Sequence, residues 1–94
     1  MTKLDELRNG IDEVDQKIIE LLAQRFQYTE EVGIYKAENH LHSQDVSREN
    51  QQFQKIAKLS AQYGLNPDYA SEIYRCLIDI VISRHEELLK STCK

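Results

Sequence analysis

Leu4 to Tyr35 reads LDELRNGIDEVDQKIIELLAQRFQYTEEVGIY, and the spacing within it decides the fold. Apolar residues recur at Leu4, Leu7, Ile11, Val14, Ile18 and Leu21. The same three-and-four alternation then passes through Arg25 to Tyr28, Val32 and Tyr35. This is one seam on one long helix, predicted over about residues 3–38. Arg25 stands where the seam calls for an aliphatic side chain. A cation there is costly to bury unless something anionic meets it, either a protein carboxylate or a ligand. Gly10 and Gly33 interrupt the pattern without ending it, and each is read as room for another helix to approach closely.

Outward from this stretch, Asn39-His40-Leu41-His42-Ser43 is a polar connection, with Ser43 or Asp45 as the next cap. A second helix follows to about Tyr63, with Val46, Phe53, Ile56, Ala57 and Leu59 expected inward, and Gly64 stops it. Asn66-Pro67-Asp68 restarts the chain: Asn caps, Pro takes the first helical position, and Asp suits the positive helix end. The third helix is expected to bury Ala70, Ile73, Tyr74, Leu77, Ile78, Val81 and Leu88, and to fray after Lys90.

A first helix of about 36 residues spans ~54 Å, whereas a domain of this size is roughly 35 Å across. Its seam would stay partly wet in a lone chain. Two long helices packed antiparallel and sharing a core remove the problem. The expected fold is therefore all-α, with one long and two shorter helices forming an intertwined antiparallel homodimeric helical bundle, and residues 1–94 as a single domain.

The chain is 40% hydrophobic and 30% charged with a net charge of −4, so no basic footprint exists for nucleic acid. No apolar run approaches a membrane span and no signal peptide is visible. Cys76 and Cys93 lack metal-site spacing; Cys76 reads as a small buried residue and Cys93 as part of a loose tail, which favours a reduced, cytoplasmic setting. His40 and His42 form a His-x-His without further ligands at a useful spacing, so a zinc site is not expected.

Three groups of residues carry chemistry. Lys36 lies three turns after Arg25 on nearly the same face, about 16 Å away, a gap two long side chains close on a small dianion. Arg8 is about 25 Å from Arg25 along the same helix and reaches the same ligand only from a second, antiparallel chain; otherwise it is a solvated arginine. Asp45 reads as a capping residue or a ligand contact, while Arg48 and Glu49 sit further into the second helix beside its apolar face. His85 falls on the buried stripe of the third helix, either as a satisfied core residue or as a site residue.

The order Leu7-Arg8-x-x-Ile11-x-x-x-Asp15, Leu21-Leu22-Ala23-x-Arg25, Glu31-Val32-Gly33-x-x-Lys36 and Asp45-x-x-Arg48-Glu49 resembles the all-helical class of chorismate mutase. The match runs without gaps from about Leu4 to Glu87 and includes Leu65-Asn66-Pro67-Asp68-Tyr69. Each short motif is weak alone; the set in one register is specific. The resemblance implies an intertwined three-helix dimer that converts chorismate to prephenate without metal or cofactor. It implies that Arg25, Arg48 and, from the other chain, Arg8 bind the substrate carboxylates. Lys36 would then donate to the ether oxygen and one carboxylate, while Asp45 and Glu49 receive the ring hydroxyl.

Two positions depart from the family pattern. Val81 stands where a serine commonly meets a carboxylate, and His85 stands where glutamine or glutamate faces the ether oxygen. A histidine donates there in either protonation state, more strongly as the cation. A shifted register would instead present Ser83 and Glu87. The departures keep other activities in view on the same fold: an isochorismate-pyruvate lyase, a mutase of 4-amino-4-deoxychorismate, or a non-catalytic dimerisation module.

Overall fold

A computed structural model describes residues 2–92 and holds three helices: α1 (Lys3–Glu38), α2 (Val46–Tyr63) and α3 (Pro67–Thr92). Among the described residues there is no strand, and no helix is long and apolar enough to cross a membrane. Cys93, expected in a loose tail, lies outside the described residues.

Each helix end follows from local chemistry. Thr2 caps α1 with a reciprocal pair: the Asp5 amide donates to Thr2 Oγ1 at 3.1 Å, and the Thr2 amide donates to Asp5 Oδ2 at 3.4 Å. At its far end His40 takes a left-handed φ of 55°, and the Leu41 amide reaches back to the Lys36 carbonyl at 2.8 Å. This reversal turns the chain back over the last turn of α1. Asp45 then caps α2, accepting from the Arg48 amide at 3.0 Å. Gly64 closes α2 at φ 69°, a conformation that costs a side chain dearly. Asn66 Oδ1 accepts from the Asp68 amide at 2.8 Å ahead of Pro67. α3 runs on to Thr92 rather than ending at Lys90.

α3 is the common partner: it packs along α1 and along α2, whereas α1 and α2 do not pack on each other. The small core centres on α3, where Ala70, Leu77 and Ile78 are buried, and Ala37 is buried on α1. Gly33 is one close approach anticipated from the sequence. A Cβ there would meet His85 Cδ2 at 2.5 Å and Leu88 Cδ1 at 2.8 Å. Gly10 has no such neighbour among the described residues.

Several expected inward positions are exposed instead. The inward stripe of α2 runs through Glu49, Phe53, Ile56 and Ser60, which leaves Val46, Ala57 and Leu59 outside it. On α3, Cys76 lies off the stripe that carries Ala70, Leu77 and Ile78 and is exposed, while Ile73 lies at the edge of that stripe and is 55% exposed. Tyr74, Val81 and Leu88 are half-buried.

The long first helix overhangs as its length requires. The chain measures 58 × 26 × 15 Å with a radius of gyration of 16.9 Å, against about 13 Å for a compact domain of this size. Leu4, Leu7, Ile11, Val14 and Ile18 are each about half exposed or more, at 47–58%, along a stretch with nothing packed on it.

Candidate active site

Where α1, α2 and α3 converge they enclose a cavity of about 310 Å³, at the lower end of the range for small-molecule sites. One face of each helix lines it. α1 contributes Arg25, Tyr28, Thr29, Val32 and Lys36; α2 and its cap contribute Asp45, Arg48, Glu49 and Gln52; α3 contributes Ile78, Val81, Ile82 and His85. The positions within each helix recur every three or four residues, so each set is one stripe.

Seven of the eight residues singled out from the sequence thus meet at one cavity: Arg25, Lys36, Asp45, Arg48, Glu49, Val81 and His85. Arg8 does not; it lies on the exposed first half of α1. The register of α3 is the ungapped one. Ser83 is exposed and Glu87 pairs with Arg84 at 3.1 Å, so neither lines the cavity.

Among the described residues, the two carboxylates of the cavity have hydrogen-bond partners, and its three cations have no carboxylate partner. Asp45 caps α2. Glu49 is buried, and both its oxygens are held: Gln44 Nε2 donates to Oε2 at 2.9 Å and Arg75 Nη2 to Oε1 at 2.8 Å. These bonds, with Gln44 first, keep the Glu49 carboxyl below the usual carboxylate range, so it is ionised near neutral pH. Among the described residues no carboxylate lies within ion-pair distance of Arg25, Lys36 or Arg48. Arg25 is the clearest case. Its guanidinium lies 5.5 Å from the Tyr74 ring centroid, while Nη1 is buried with no hydrogen-bond partner among the described residues. A buried orphan donor on a cation costs free energy that an incoming anion recovers. The anomaly on the seam is therefore not explained by a protein carboxylate.

His85 is 4% exposed and also sits at the cavity wall. Its Nε2 is 2.8 Å from the Thr29 carbonyl oxygen. A carbonyl only accepts, so Nε2 carries the hydrogen. Nδ1 is buried and has no hydrogen-bond partner among the described residues. The bare Cα of Gly33 makes room for the Cδ2–Nε2 edge of the ring. Below it, Arg84 holds Glu30 in a bidentate pair with contacts of 2.7–3.2 Å, which lowers the Glu30 carboxyl and raises the Arg84 guanidinium.

Thr29, Gln52 and Ile82 were not singled out from the sequence. Gln52 continues the Asp45–Arg48 stripe by one turn and was within reach of the same periodicity argument. Arg75 carried no local signal, because its partner Glu49 is 26 residues away.

A helical scaffold around a cavity with three unpaired cations is an anion-recognition architecture. The chain belongs to the chorismate mutase type II family, whose model matches residues 7–86. Over 90 residues it is 29% identical to a chorismate mutase of Methanocaldococcus jannaschii, covering 96% of this chain and 91% of that protein. It is 30% identical over 86 residues to a bifunctional chorismate mutase/prephenate dehydratase of Buchnera aphidicola, and 32% over 91 residues to one of Aquifex aeolicus. The chain spans only 22% and 25% of the lengths of these two bifunctional relatives.

Proposed function

We propose that this chain, as one three-helix domain, rearranges chorismate to prephenate, and that two copies assemble to form the sites. The observation that supports this best is the pairing pattern of the cavity: unpaired Arg25, Lys36 and Arg48 beside already partnered Asp45 and Glu49. A small dicarboxylate with a ring hydroxyl complements it.

The reaction is an intramolecular [3,3] shift. The carbon–oxygen ether bond breaks as a carbon–carbon bond forms, and no proton or electron enters or leaves. The protein then acts by holding the compact conformer and stabilising negative charge on the ether oxygen. In this reading Arg25 and Arg48 hold carboxylates by bidentate pairing. Lys36 donates to the ether oxygen and one carboxylate. Asp45 and Glu49 accept from the ring hydroxyl, and Val81 gives an apolar contact in place of a hydroxyl donor.

His85 faces the ether oxygen with Nδ1. Because Nε2–H is committed to the Thr29 carbonyl, the neutral ring offers the ether oxygen only a lone pair, and the cation alone donates. This narrows the expectation from sequence, which allowed donation in either state. If the cation is the working donor, turnover falls with rising pH. Glu30 and Glu49 are held below the usual carboxylate range, so they stay ionised as pH rises. A chorismate-disappearance assay with product identification tests the function, and its pH profile tests His85. In His85→Gln, whose amide donates at every pH, the profile should be flat. A flat profile in the unaltered protein would remove His85 from this role.

The exposed apolar stripe of α1 supports the antiparallel dimer, with Arg8 from a second copy entering each cavity. The expected result is complementation. Arg8→Ala and Arg25→Ala chains, each inactive alone, should recover about a quarter of full activity after co-refolding in equal amounts. Half the assemblies are then mixed, and each mixed dimer has one intact site. No recovery would place Arg8 outside the site.

A further inference from the structure

The Glu49 carboxylate is held from outside the cavity. Arg75 does not line it, yet its Nη2 lies 2.8 Å from Glu49 Oε1. The guanidinium is itself fixed in place. It lies 5.5 Å from the Phe53 ring centroid, and Asp79, one turn further along α3, accepts from Nε at 3.0 Å. Gln44 occupies Oε2 from the loop side. A carboxylate has about four lone-pair positions, so the two protein donors leave about two open to a ligand.

We propose that Arg75 is a specificity-determining positioning residue, which balances Glu49 so that this end of the cavity accepts a neutral ring hydroxyl and disfavours a cationic ring amine. This rests on the reading of the cavity as a chorismate-type site. A buried carboxylate without a cation is a receptor for ammonium, since the pair is charge-assisted in a low-dielectric setting. With Arg75 in contact that demand is met from within the protein. A second cation beside Glu49 would face both Arg75 and Arg48, and like charge in one small site counts against it. A hydroxyl needs only an oriented acceptor, and the two bonds to Glu49 supply orientation.

The test compares kcat/KM for chorismate and for its 4-amino analogue in the unaltered protein, Arg75→Gln, Arg75→Lys and Asp79→Asn. The unaltered protein should prefer the hydroxyl compound. Arg75→Gln should move the ratio toward the amine by roughly tenfold, and more at low salt, because Arg75 is partly solvated. Arg75→Lys keeps the cation and should hold the ratio within about threefold of the starting value. Asp79→Asn removes the competing anion and should move the ratio further toward the hydroxyl, a readout that survives if Arg75→Gln fails to fold. Equal loss for both compounds in Arg75→Gln would make Arg75 merely structural and overturn the proposal, as would an amine preference in the unaltered protein. Conversion of neither compound by the unaltered protein would instead overturn the functional reading and this proposal with it.

Discussion

Arg25→Ala is expected to lose chorismate conversion by at least ~10³-fold while the protein melts at the same temperature or slightly higher. Removing a single preorganised donor costs ~10²–10³ in rate, and Arg25 also contributes charge and bidentate geometry to a carboxylate. The stability side runs the other way. The residue's visible protein contact is the Tyr74 face, worth ~0.5–1 kcal/mol. Against it stands the buried Nη1, whose desolvation without a partner costs ~1–3 kcal/mol and is relieved on truncation. Stability retained with activity lost marks a residue kept for a ligand. Measured kcat/KM alongside thermal unfolding checks both halves. A melting temperature that drops by ten degrees or more would mean that Arg25 holds the fold.

Gly33→Ala is expected to lower turnover at least tenfold with little change in stability. In helix α1 alanine is better than glycine by ~1 kcal/mol. Here its Cβ would fall 2.5 Å from His85 Cδ2, so the ring must move, and with it the bond to Thr29. Overpacking of this kind costs ~1–3 kcal/mol where the surroundings are rigid. The displaced atoms are the ends of the His85 and Leu88 side chains, which give way at the low end of that range. The two contributions nearly cancel in stability, but the imidazole loses its placement. The Gly33→Ala, His85→Ala double variant should be no less active than His85→Ala alone. A further drop would show that Gly33 serves the site by another route.

Much of this was legible in the sequence because it is periodic. The three helices follow from three-and-four spacing, and the later caps from Asp45, Gly64 and Asn66 at their ends; the Thr2 cap of α1 was not read from the sequence. The site stripes are readable for the same reason: Arg25, Lys36, Asp45, Arg48 and Glu49 keep a helical register, so placing one element places the set. What the sequence hid is long-range or depends on which face finds a partner. Val46, Ala57 and Leu59 are apolar and helical, yet α2 meets α3 along a different stripe. Cys76 looked buried by type and is exposed by angle. The Arg75–Glu49 bond joins residues with no local relation. The tautomer of His85 depends on one carbonyl of another helix, which no pattern encodes.

α3 touches both other helices, and they do not touch each other. In mechanical terms the chain is a triangle with two rigid sides and one open edge. The wall carrying Arg25 and Lys36 and the wall carrying Arg48 can change their separation without breaking any α1–α2 packing. An anion gripped by both walls is the missing strut, and it braces the frame while bound. An anion that bridges the two walls is then expected to slow amide exchange at the start of α2, so ligand affinity and the rigidity of that turn should rise together.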